Sequence, residues 1–167
     1  MQGIFIMRTK NILFTVIRII LVAGLICVIV FSVFLKSNTS KVPAEEVFEA
    51  VTRVVETDKM EKTTDRYFKK YYGLNAMDYE AVLYYAPVSN MDAEELLVVK
   101  LKSEEQAETA VEAILKRQAD KEQSFEGYAP EQYALAQDYI LDIRGTYILF
   151  VIDPSAEAIA AAFSGVL

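Results

Sequence analysis

Three spacings of apolar residues succeed one another along this chain. From Asn11 to Leu35 the run NILFTVIRIILVAGLICVIVFSVFL is apolar at nearly every position, a density that suits a bilayer. From Val47 the period becomes helical: Val47, Phe48, Val51, Val54 and Val55 recur on one face, with Pro43 suited to a first helical position. Asp58 to Lys62 breaks the pattern. Thr64 can cap a second short helix, DRYFKKYYG, and Gly73 stands where a left-handed residue stops it.

From Glu80 the spacing changes again. EAVLYYAPV and EELLVVKLK are rich in β-branched and aromatic residues and are separated by the turn-like SNMDA, which predicts a hairpin with strands near 80–86 and 95–102. Leu97, Val99 and Leu101 share one face of the second strand, with Lys100 and Lys102 on the other, polar one. Ser103-Glu104-Glu105-Gln106 has the form of a capping box, in which the Ser103 hydroxyl reaches the backbone N–H of Gln106. Ala107, Ala110, Val111, Ile114 and Leu115 form the inward stripe of the helix that follows, and Lys116, Arg117 and Lys121 lie toward its negative end. YILDIR and TYILFVID make a second hairpin around Gly145. Asp153 then caps a last helix with Pro154 at its first position and Ile159, Ala160 and Phe163 inward.

KEQSFEGYAPEQYALAQ, from Lys121 to Gln137, joins the long helix to the second hairpin. Phe125 extends the core stripe, Gly127 takes a left-handed stop position, and Pro130 opens the next short helix while forbidding continuation of the first. The stretch is therefore a structural corner first and a recognition site second, and Gly127→Val is expected to abolish folding. The predicted fold is α+β: an N-terminal transmembrane helix, then a two-layer sandwich in the order α-α-β-β-α-β-β-α. Its antiparallel sheet has about four strands, with helices packed on one face.

Charge sharpens the address. Residues 1–41 carry five basic side chains and no acid, while all 24 acidic residues lie downstream against the other 12 of the 17 Lys and Arg. The segments are a cytoplasmic tail at 1–10, an anchor at 11–36 that meets the lipid bilayer through 12–35, a tether at 37–42 and an extracytoplasmic domain at 43–167. Ile19 to Leu35 alone spans about 25 Å, so the turns before Arg18 complete the crossing while Arg18 snorkels. Arg8, Lys10 and Arg18 against Lys36 and Lys41 place the N-terminus in the cytoplasm. The rival reading is a signal peptide cleaved near Ala44, which gives a secreted form. The length of the apolar core and the intervening Lys36 and Lys41 favour a retained anchor. Cys27 follows Leu25-Ile26, unlike a lipoprotein site, and as the only cysteine it allows no intrachain disulfide.

The chain contains no histidine, which removes Ser-His and Cys-His catalysis and imidazole metal ligation. Its scattered glycines make no phosphate-binding loop, and the acidic domain is unsuited to nucleic acid. Carboxylates and tyrosines remain. Glu126 with Glu131, or Asp92 with Glu95, are candidate acid–base pairs for glycan hydrolysis. Asn90, Asp92, Glu94 and Glu95 match no EF-hand spacing and read as a solvated hairpin tip. No cofactor or metal site is predicted. Lys59, Lys62, Arg66, Lys69 and Lys70, near the tether, are interleaved with acids and read as a solvated face. A groove lined by Tyr84, Tyr85, Tyr128 and Tyr133 is the candidate contact surface, since tyrosine joins an apolar body to a polar tip.

KRQADKEQSFEGYAPEQYALAQDYILDIRGTYILFVI resembles the C-terminal half of the bacterial domain-of-unknown-function family 4358, through Phe125, Tyr128, Pro130, Gln132 and Tyr133 in the corner and Gly145 and Tyr147 in the last hairpin. NMDAEELLVVKLK from Asn90 is similar to that family's strand before the long helix, and the likeness covers roughly residues 75–167. It implies an extracytoplasmic domain behind a lipoprotein signal or a single anchor, with no assigned activity. The expected function is a non-catalytic binding or scaffolding module at the bacterial cell envelope, with an envelope protein or glycan as partner. Two alternatives stand beside it: an envelope glycan hydrolase using paired carboxylates, and an accessory subunit of a membrane complex.

Overall fold

The computed structural model describes residues 41–56 and 58–167. The tail at 1–10, the anchor at 11–36 and residues 37–40 of the tether at 37–42 lie outside those residues, and no helix among the described ones is long and apolar enough to cross a membrane. In chain order the described elements are α1 (Ala44–Thr52), β1 (Met60–Lys62), α2 (Asp65–Tyr72), β2 (Ala81–Pro87), β3 (Glu95–Lys100), α3 (Ala107–Phe125), α4 (Pro130–Gln137), β4 (Ile140–Arg144), β5 (Tyr147–Ile152) and α5 (Ala156–Val166). The fold is α+β. Its five strands form one antiparallel sheet in the order β1-β2-β3-β5-β4.

Both hairpins form where the β-branched and aromatic runs and the turns between them predict, β2 with β3 and β4 with β5. Gly145 makes the second turn at φ 57°. The two hairpins join through β3 and β5, where Val98 lies opposite Leu149. The fifth strand, β1, falls where a break in the pattern was expected. Only Met60 of its three residues is buried, so no alternation announces it. It is held as an edge strand by pairing with β2, with Met60 opposite Pro87.

Helices cover both faces of the sheet, not one. Tyr84, Leu97, Val99, Ile148 and Phe150 pack with Phe68 of α2, Ala110 and Ile114 of α3 and Ala136 of α4. Leu83, Leu96, Val98, Leu149 and Val151 pack on the other side with Val47 and Val51 of α1 and Ile159 and Phe163 of α5. The physical reason is visible in β3 and β5, every residue of which is buried. A strand buried on both faces is apolar at consecutive positions, as LLVV and YILFVI are. Lys100 is accordingly not on a solvated face. It is 6% exposed, pairs with Glu80 at 2.8 Å and donates to the Val42 carbonyl at 3.0 Å. The Tyr147 hydroxyl donates to the same carbonyl at 2.6 Å, which pins the start of the domain to the sheet.

Several helix ends also differ from expectation. Ser103 makes no side-chain cap. The Gln106 side chain reaches back instead, accepting from the Lys102 N–H at 2.8 Å, and a 3-10 turn precedes α3. Asp153 and Pro154 form a turn before α5, with the Asp153 carboxylate accepting from the Ser155 N–H at 2.7 Å. At the corner, Phe125 ends α3 at 2% exposure, Gly127 has φ 83° and Pro130 begins α4. A Cβ at Gly127 meets no atom within 4 Å, so substitution there strains the backbone alone. Gly127→Ala is expected to fold and to lose about 1–2 kcal/mol of stability in urea unfolding. A larger loss would mean side-chain crowding at the corner.

Candidate functional site

The alternation of β3 turns its first residue, Glu95, toward the face that carries Leu97 and Val99, under α2 and α3. This places a carboxylate in the interior at 0% exposure. An isolated buried ion costs several kcal/mol, so the surrounding sequence must supply charge and donors. Glu95 Oε1 accepts from the Tyr72 hydroxyl at 2.6 Å, the Tyr84 hydroxyl at 2.9 Å and Arg117 Nε at 3.2 Å. Oε2 accepts from Arg117 Nη2 at 2.9 Å and pairs with Lys121 Nζ at 2.9 Å. Burial alone would push the Glu95 carboxyl up. The Lys121 and Arg117 charges, with hydrogen bonds from Arg117 and Tyr72, outweigh burial and hold it below the ordinary value. Tyr72 and Tyr84 are pushed up by burial and then by the Glu95 charge, which keeps both phenols protonated as donors. Lys121 is pulled down, chiefly by burial and further by Arg117, because two cations share one carboxylate.

Aromatic rings wall the cluster. Tyr72 and Tyr84 meet edge to face at 5.3 Å, and the Arg117 guanidinium lies 4.3 Å from the centre of the Tyr71 ring. Such a stack adds a cation–π attraction without consuming N–H donors. Lys121 also donates to the Ala93 carbonyl at 2.6 Å, while the Ala93 N–H donates to Gln132 of α4 at 2.8 Å. The approach to β3 is thus gripped from α3 and α4 together. Beside the cluster lies a cleft of ≈ 220 Å³ lined by Tyr71, Asn90, Asp92, Arg117, Lys121 and Ser124 among others. Arg117 bonds Glu95 through Nε and Nη2, and its Nη1 makes no hydrogen bond among the described residues.

The four tyrosines of the predicted groove do not share a surface. Tyr84 is 3% exposed and faces Glu95, whereas its neighbour Tyr85 packs on the opposite face of the sheet. Tyr133 is half-buried against the core, and Tyr128 is exposed with its ring 6.1 Å from Phe125. Glu126 and Glu131 flank the corner, both exposed. In the other proposed acid–base pair, Asp92 lines the cleft while Glu95 is already saturated with donors. Glu94 and Glu95 turn to different sides, so the tip residues Asn90, Asp92, Glu94 and Glu95 do not wrap one point.

Arg117 and Lys121 were placed by sequence only toward the negative end of the long helix, with no partner assigned to them. A signal existed. The buried stripe of α3 runs through Ala110, Ile114, Gln118, Lys121 and Phe125, whereas the expected Leu115 is 40% exposed. Apolar residues at both ends of a stripe imply burial of the polar ones between them.

A family model described as "Domain of unknown function (DUF4358)" matches residues 53–153. No curated protein and no solved structure matches the chain.

Glu95→Gln leaves Arg117 and Lys121 buried without their counter-charge and is expected to cost about 3–5 kcal/mol in urea unfolding. Tyr72→Phe removes one donor and costs about 1–2 kcal/mol. The folded-state pKa of Glu95 lies below its ordinary value of 4.5. Its stabilisation is therefore complete above that value and is lost as pH falls through it toward the folded-state pKa. Unfolding free energy measured from pH 7 downward is expected to drop in that window, and to drop less steeply in Glu95→Gln.

Proposed function

The chain belongs to the DUF4358 family, domains described as of unknown function, and from that premise we propose that it is a non-catalytic binding module that captures an oxyanion in the cleft beside Tyr71, Arg117 and Lys121. One observation carries this reading: two cations, buried Lys121 and half-buried Arg117, share the single carboxylate of Glu95. The Glu95 cluster carries one positive charge beyond its carboxylate, with Asp92 the one acid on the cleft lining, and Arg117, stacked on Tyr71, lines the cleft. Guanidinium groups in such partly dehydrated surroundings suit carboxylate or phosphate groups. An acidic side chain of an envelope protein or an acidic sugar of an envelope glycan supplies that chemistry.

The reading without catalysis rests on the same cluster. A general acid needs a raised carboxyl pKa, and Glu95 is held low by the charges around it. Its oxygens hold donors in place, so its role is to position Arg117 and Lys121. The address in this proposal is the cell membrane, with the 11–36 segment as anchor and the domain outside. Support for it comes from the apolar run and from the absence of acids in residues 1–41.

Titration of the full chain with acetate and with inorganic phosphate is expected to show binding that acetamide does not reproduce. Asn90→Glu places a carboxylate in the cleft lining from an exposed position. It is expected to weaken binding about tenfold at low salt while leaving the unfolding midpoint unchanged. Equal binding by Asn90→Glu and the parent chain would overturn this cleft as the site. For the address, Glu108→Cys in a Cys27→Ser background is expected to react with a membrane-impermeant maleimide on intact cells. Reaction only after lysis would place the domain inside.

A further inference from the structure

Glu94, the neighbour of Glu95 in sequence, is also buried, at 3% exposure, yet it is only half satisfied. Its Oε1 accepts from Lys59 Nζ at 2.7 Å, and its Oε2 has no hydrogen-bond partner among the described residues. It lines a cavity of ≈ 250 Å³ together with Glu56, Asp58, Lys59, Asp153 and Ser155. The residues arrive from three places at one end of the sheet: the segment between α1 and β1, the approach to β3, and the turn after β5. Four carboxylates face one lysine there. Lys59 does not neutralise them from within, because its side chain is 53% exposed and covers Glu94 from the solvent side. Asp153 is 6% exposed and uses Oδ1 to accept from the Ser155 N–H. Burial, with Glu94 and Glu56 adding, pushes its carboxyl up.

We propose that this cavity is a binding site for a primary ammonium group, with the half-satisfied Glu94 carboxylate as the principal acceptor and Asp153 as the second carboxylate. The surplus of negative charge selects a cation. Among the described residues no three acids stand close enough to hold a metal ion, and hard divalent cations need six or more oxygens. A guanidinium fork favours both oxygens of one carboxylate, and Lys59 already occupies one of them. A compact ammonium can use a single free oxygen and turn its other N–H groups to neighbours. The site uses no residue of the cleft beside Arg117. The same ammonium chemistry is offered by a free alkylamine and by a lysine side chain of a peptide.

The test is titration of the full chain with n-butylamine, with Nα-acetyl-lysine methylamide, with tetramethylammonium and with calcium chloride, followed by calorimetry and by the backbone amide shift of Ser155. Butylamine is expected to bind and to move the Ser155 signal, and tetramethylammonium, which has no N–H, is not. Tighter binding of the lysine derivative than of butylamine identifies a peptide source, and equal or weaker binding a free amine. Glu94→Gln keeps an oxygen for Lys59 and is expected to weaken butylamine binding about tenfold or more. Asp153→Asn, which preserves the acceptor for Ser155, provides the same reading if Glu94→Gln does not fold. Unchanged affinity in both variants, equal binding of tetramethylammonium, or calcium binding that excludes the amine would overturn the proposal.

Discussion

A carboxylate removed from water must be surrounded by donors, and at Glu95 that requirement ties together most of one layer of the domain. The donors come from α2 through Tyr72, from β2 through Tyr84 and from α3 through Arg117 and Lys121. No one of these elements meets the need alone, because the desolvation of an ion exceeds what a single neutral hydrogen bond returns. The helices over this face are thus held by apolar packing, which is indifferent to small shifts, and by a point of fixed geometry, which is not. Ala93, gripped through its carbonyl by Lys121 and through its N–H by Gln132, extends that fixed point to the corner after α3.

The opposite layer is built on other terms. α1 and α5 lie over Leu83, Leu96, Val98 and Val151 through aliphatic contacts, with Tyr147 and Phe163 meeting edge to face at 6.5 Å. The family match at residues 53–153 includes all five strands and the helices of the Glu95 face, whereas α1 and α5 fall outside it. Val42 is held from this side by Tyr147 and Lys100. The sheet therefore has one face organised by an ionic cluster and one organised by hydrophobic burial.

How far the fold was legible follows from which residues speak locally. Runs rich in β-branched and aromatic residues announced both hairpins, and Gly73, Gly127 and Gly145, all at positive φ, marked turns that a residue without a Cβ enters cheaply. β1 was silent because a three-residue edge strand is made by its partner and not by its own pattern. The second helical layer was legible in principle from the consecutive apolar residues of β3 and β5. Its cue was lost because Lys100 looks like a solvated position until Glu80 and Val42 are seen beside it. The Glu95 cluster was the least accessible part. Its members are spread from Tyr72 to Lys121, and charged residues ordinarily belong to the surface, so only the tertiary structure shows that they meet.

β3 illustrates what the cluster contributes beyond stability. A strand that is apolar on both faces has little to fix its alignment, since a slip of one residue exchanges one greasy surface for another. In β3 a slip that sends Glu94 to the tyrosines and Arg117 would carry Glu95 to the face under α1 and α5, among Leu83, Val98 and Val151 and away from Arg117 and Lys121. The two adjacent glutamates thus act as an index mark on an otherwise featureless ruler, and the pairing of β2, β3 and β5 can be read in only one register.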